Sequence, residues 1–237
     1  MVSLSYIPRN HPEKSFNRNL LLRFLLQNLR CYGLLEKAEE IRVKYFWILV
    51  VLFLISGYHA WSNGSISRPP GVLVAEEPQQ GAIVDLPEIR RQDLFLKLLA
   101  SFELKSRVIR TKRYYFGRAA DLAPVDVVLA WGSMSDQNNL GYFKFSQSDR
   151  FYFWSAKTLP VPREVVESHT ANMHMIPGNA NVEKLLKALR PGHIIHLRGY
   201  LVEAHAPDGW RWRSSLSRTD TGPGACELVL VQSLEAH

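Results

Sequence analysis

The chain has 237 residues, 46% of them hydrophobic, and a formal net charge of +7, which allows one ordinary core plus an anchor and excludes two large domains. Its two cysteines, Cys31 and Cys226, lie on opposite sides of a long apolar run and cannot pair within one chain. A disulfide scaffold and a zinc-type cysteine site are therefore excluded, and the fold must rest on its apolar core.

Residues 1–44 hold eight basic side chains against four acidic ones, so more than half of the net charge precedes the apolar run. Within them Leu20, Leu21, Phe24, Leu25 and Leu29 fall near helical spacing with Arg23 and Arg30 between. That pattern fits a basic amphipathic helix on the inner leaflet, and equally a cytoplasmic helix that pairs with a partner. From Tyr45 to Trp61 the sequence YFWILVVLFLISGYHAW has no charge, and as a helix it covers roughly 25 Å, sufficient for a short membrane span. Tyr45 and Trp47 at one end and Tyr58 and Trp61 at the other form aromatic belts. A buried core helix would keep a polar face, and a cleaved signal peptide would be followed by a small-x-small site, so an uncleaved signal anchor is expected. The basic residues before the span, against Arg68 alone shortly after it, place the N-terminus in the cytoplasm of the inner membrane. The domain after Trp61 is then periplasmic.

Residues 62–91 contain Pro69, Pro70, Gly71, Pro78, Gly81 and Pro87 and read as a linker or extended arm. The domain is expected over 92–237. Phe102 to Tyr114 alternates as a strand, and DLAPVDVVLAWG, Asp121 to Gly132, carries the punctuation of a short helix. GYFKFSQSDRFYFW reads as an aromatic hairpin around Gln147-Ser148-Asp149, although the turn lacks glycine. Short helices follow at Arg163–His169 and Val182–Leu189. HIIHLRGYLVEA and WRWRSS then form a hairpin about Pro207-Asp208-Gly209, with Gly199 marking a bend, and CELVLVQSL is the last strand. The fold class is α+β, a five- or six-stranded antiparallel sheet with short helices, open to closure as an OB-like barrel.

DLAPVDVVLAWGSMSD, SHTANMHMIP and WRSSLSRTDTGPGACELV resemble segments of uncharacterised single-pass inner-membrane proteins of Gram-negative bacteria, over most of residues 100–233. The resemblance implies a bacterial, membrane-anchored protein and carries no activity.

Candidate site residues are few. His169 and His174 are five apart, off the one-face spacing of a helical metal motif, and no glutamate lies between them, so no metal or cofactor is expected. Ser214, Ser215 and Ser217 lack a nucleophile elbow or an S-x-x-K partner, and Cys226 lacks a neighbour that would activate it. Trp210, Arg211, Trp212 and Arg213 alternate, so the indoles share one face of a strand and the guanidiniums the other. With Arg218 and Asp220 of the polar loop they form the candidate binding surface. The expected function is a membrane-anchored binding or scaffold module for a partner protein or envelope component. The alternative is an anchored hydrolase using the Ser214–Glu227 loop and a nearby histidine. Expected partners are the bilayer, through Tyr45–Trp61, and a protein of the membrane or periplasm; nucleic acid is not expected.

Overall fold

The computed structural model of the chain describes residues 18–31, 34–62, 64–84, 86–217, 222 and 224–237. They fall into two compact units, divided after Ser62.

The first unit holds α1 (Arg18–Cys31) and α2 (Leu34–Ser62). The helix-favouring LEKAEE segment and the apolar run are one continuous α2, because no helix breaker separates them. Over Lys37–Tyr58 its mean hydropathy is 1.7 and none of it is buried, so α2 is long and apolar enough to cross a membrane.

The second unit contains β1 (Gln79–Gly81), β2 (Ile89–Arg91), β3 (Leu94–Arg113), α3 (Arg118–Leu122), β4 (Val125–Ala130), a 3-10 turn (Gly132–Ser135) and α4 (Gln137–Leu140). There follow β5 (Phe143–Ser148), β6 (Phe151–Ala156), α5 (Arg163–Ser168), β7 (Thr170–Pro177), α6 (Ala180–Ala188), β8 (Ile194–His205), β9 (Arg211–Arg213) and β10 (Glu227–Ala236). This is the expected α+β class, with one mixed eight-stranded sheet and a separate two-stranded one, β5–β6.

Five strands of the large sheet pair in a closed ring: β3 with β4, β4 with β7, β7 in parallel with β10, β10 with β8, and β8 back to β3. Alternate residues of each strand point inward, and Phe102, Leu104, Val127, Leu129, Met173, Met175, Leu197, Leu201, Val229 and Val231 meet there as one apolar core. Val182 and Leu186 on one face of α6 and Leu189 just beyond it join the same core. β3 bends through bulges at Val108/Arg110 and Leu98/Ala100, which lets one 20-residue strand pair with β8 and then β4. Gly199 has a close-approach role: a Cβ there would collide with the Leu230 carbonyl of β10.

Three sequence expectations change. Asp121–Gly132 is not a helix: its first two residues end α3 and its apolar run is β4, fully buried on both faces. The sheet strands outnumber the five or six expected, because β1 and β2 have only three residues each, β4 resembled a helix, and β7 lies where histidines drew attention. The linker or extended arm expected at 62–91 packs in part on the second unit: Val74 is in the core, and the Leu73 and Val74 amides donate to Ser135 Oγ, each at 3.1 Å.

Candidate binding cleft

The outward-facing residues of β4 and β7 build the site. Asp126 and His174 are register partners on the two strands, and both are buried. Such polar groups outside an apolar ring must be covered and hydrogen-bonded, and the β5–β6 hairpin supplies the cover. Its two-residue turn, Asp149-Arg150, has φ of 50° and 71°, a left-handed pair that non-glycine residues adopt at roughly 1 kcal/mol each. Tertiary bonds offset that strain. The Arg150 guanidinium donates to Asp126 Oδ1 at 2.6 Å and to the Ala123 carbonyl at 2.9 Å, and it stacks 3.7 Å from the Tyr114 ring centroid. The Arg150 amide donates to Tyr114 Oη at 3.1 Å, and the Arg150 carbonyl accepts from Asn172 Nδ2 at 2.8 Å. Gln147 Nε2 donates to Asn172 Oδ1 at 2.9 Å.

Two acceptors in this layer keep spare capacity: among the described residues, Asp126 Oδ2 and Gln147 Oε1 are buried without a hydrogen-bond partner. His174 Nδ1 lies 2.9 Å from Asp126 Oδ1 but out of hydrogen-bond alignment, so the contact is electrostatic in kind. Burial, and then the Asp126 carboxylate, push the Tyr114 phenol above its usual range.

Between hairpin and ring opens a cleft of about 280 Å³. Thr170, Ala171 and Asn172 of β7 form its floor. One wall is Phe151, Tyr152, Phe153 and Trp154, and the opposite wall comes from Ser217, Gly222, Ala225, Cys226 and Glu227. Because four consecutive residues of β6 border the cleft, the edge of that strand faces it rather than one side-chain face. Among the described residues β6 pairs only with β5, so this edge has ladder groups to offer. Tyr152 braces the wall, its hydroxyl 3.1 Å from Thr170 Oγ1, and burial raises its phenol pKa. The far end of the hairpin is held by packing of Phe143, Phe145 and Trp154 with Met134 and Val166.

The residues expected to bind are placed differently. Arg211 and Arg213 both pair with the buried Glu203, Arg211 at 2.6 Å, and do not line the cleft. These two partners, Arg211 first, hold the Glu203 carboxyl below its usual range. Trp210 and Trp212 pack on a second apolar cluster beside Leu228 and Leu230. Trp212 reaches the polar layer, 4.8 Å from the His174 ring and 5.4 Å from the Arg150 guanidinium. Trp210 is covered by Arg118, which Asp208 holds at 2.6 and 3.1 Å. Arg218 and Asp220 lie outside the described residues.

The hydrolase alternative needs the Ser214–Glu227 loop and the histidines together. The loop does meet β7 at the cleft, but neither His169 nor His174 borders it. Ser214 Oγ donates to the Ser215 carbonyl and accepts from the Leu228 amide, and His169 Nδ1 is 3.0 Å from the Val165 carbonyl. Sequence reasoning missed Asp126, Arg150 and Tyr114. The one signal for Asp126 was a lone carboxylate in the apolar run VDVVLA. Compared with protein-family models, curated proteins and solved structures, the chain matches none.

Proposed function

We propose that the chain is a single-pass inner-membrane protein with a cytoplasmic N-terminus, whose second unit is an OB-like periplasmic module that binds an extended segment of a partner protein. The observation that carries this reading is the cleft, where an aromatic wall stands on the free edge of β6. Such an edge recognises an extended peptide by main-chain hydrogen bonds, with side-chain pockets adding specificity. The cleft is held open by the Asp126–Arg150 layer, so little ordering is lost on binding.

The closed ring with one parallel pair, and a helix between β7 and β8, supports the OB-like description. The basic excess before α2 supports the orientation. Kinship with uncharacterised single-pass inner-membrane proteins of Gram-negative bacteria belongs to the same proposal and rests on the three segments quoted above.

The test is photo-crosslinking of the full chain in its own membranes, with p-benzoylphenylalanine in place of Phe153. The expected result is an adduct with one protein of the inner membrane or periplasm, and a loss of at least about fivefold in its recovery on Phe151→Ala, a cost near 1 kcal/mol. Absence of a protein adduct above background overturns the reading. The second reading is the hydrolase that uses the Ser214–Glu227 loop and a nearby histidine, and what favours it is that the loop meets β7 at the same cleft.

A further inference from the structure

A second surface is distinguished by charge and by two bare aromatic side chains. The last turn of β3 and the loop after it read Arg110-Thr111-Lys112-Arg113-Tyr114-Tyr115-Phe116. Tyr115 is 70% exposed and Phe116 is 94% exposed, so two adjacent aromatic rings stand at the surface beside the cations. Tyr115 shares an open concavity with Arg110, Lys112, Arg113 and Arg190. A neighbouring concavity shares Arg110 and Pro191 with it and runs to Arg107 and to Ser65–Ser67. Neither is lined by an aspartate or glutamate.

Arg110, Lys112 and Arg113 can reach an outside anion. Lys112 donates to the Gln147 carbonyl at 3.1 Å and Arg113 to the Lys187 carbonyl, both neutral acceptors that leave the charge uncompensated. Among the described residues no carboxylate lies within ion-pair distance of Arg110, Lys112 or Arg113.

This strip also begins where the chain joins the unit. The Ile66 amide donates to the Pro191 carbonyl at 2.7 Å, and Arg68 Nε donates to the Gly192 carbonyl at 2.8 Å. Gly192 sits at φ +94°, and a Cβ there would collide with the Ile66 carbonyl. The chain is thus fastened to the basic strip only four residues after α2 ends at Ser62.

We propose that the strip from Ser65 to Phe116 docks the folded unit on anionic phospholipid headgroups of the bilayer that α2 spans. Basic side chains are drawn to anionic headgroups by Coulomb attraction, and the tyrosine and phenylalanine rings suit the interfacial layer beneath the phosphates. The shortest tether of the unit starts at this strip, which favours the bilayer over any other polyanion. The inference rests on the reading of α2 as a membrane span.

The experiment uses the full chain with p-benzoylphenylalanine in place of Phe116, which keeps an aromatic ring at the position. It is reconstituted in nanodiscs of phosphatidylcholine alone or with phosphatidylglycerol. Failure of the chain to incorporate would overturn the membrane-span reading and the docking proposal with it, whereas incorporation without a lipid preference overturns the docking alone. The expected result is a yield of lipid adduct at least about fivefold higher on the anionic discs, suppressed by high salt. Arg110→Glu, whose wild-type side chain makes no hydrogen bond or ion pair among the described residues, is expected to bring that yield back to the phosphatidylcholine level with the melting temperature unchanged. The same probe at Phe153 gives the background. Equal yields on both lipids, or none above that background, overturn the proposal. An added single-stranded oligonucleotide that takes the crosslink in place of lipid also overturns it, in favour of a nucleic-acid site.

Discussion

The inner and outer faces of β4 share six residues and do opposite things. Inward, Val125, Val127 and Leu129 join the apolar core of the ring. Outward, Asp126 anchors Arg150 and so fixes where the β5–β6 hairpin stands. The inner face accounts for the existence of the ring, because burial of apolar area is non-directional and tolerates any well-packed set. The outer face accounts for the cleft, since hydrogen bonds to a buried carboxylate are directional and have few alternatives. Stability and site geometry therefore reside on alternate residues of one strand.

The largest expected effect comes from breaking the inner face. Val127→Asp places an unpaired charge inside the ring, at more than about 4 kcal/mol. The strand signal in circular dichroism and the cooperative thermal transition are both expected to be lost, and a variant that still melts cooperatively would show that the ring interior is not the core.

Asp126→Ala separates the two faces. It leaves the half-buried Arg150 without its carboxylate, at about 3 kcal/mol, while the ring interior is untouched. The variant is expected to melt cooperatively at a lower temperature, with faster amide exchange confined to residues 143–156 and with the Phe153 crosslink lost. Uniformly faster exchange across β3, β8 and β10 would mean that the outer layer cannot be separated from the core.

Glu203 offers the smallest effect. Its carboxyl is held below the usual range by Arg211 and then Arg213. A lowered folded pKa contributes stability above the unfolded value, lost as pH falls through the folded one. Both arginines are largely exposed, so the contribution is discounted to about 1 kcal/mol. The gap in melting temperature between the wild type and Glu203→Gln is expected to be open at pH 7 and to close as the pH drops below about 4. A gap that stays constant with pH would assign the loss to packing instead.

What the sequence revealed tracks how local each signal is. The apolar helix, both hairpins and the last strand depend on runs of neighbouring residues and are legible. The segment Asp121–Gly132 misled because a continuous apolar run suits a strand buried on both faces as well as a helix, and only Val125, Val127 and Val128 argued for the strand. The cleft was illegible for a different reason. Asp126, Arg150 and Asn172 come from three separate elements, and nothing in the sequence ties a turn lacking glycine to a carboxylate 24 residues before it. The tryptophan–arginine alternation was correctly assigned to two faces, but its charges were already taken by Glu203, a partner fixed only by the β8–β9 pairing.

The ring also has a kinetic consequence. In the β3–β8 seam Phe95 faces His205 and Arg107 faces Ile194, so that seam joins residues 87 to 110 positions apart in the chain. Long loops must close before such a seam returns any free energy, which places folding of this unit toward the millisecond-to-second range. During that interval the apolar inward residues of β4 and β10 are uncovered, whereas α2, a long apolar segment, needs no distant partner to form its backbone bonds. The helix, whose backbone bonds are all local, therefore forms ahead of the ring.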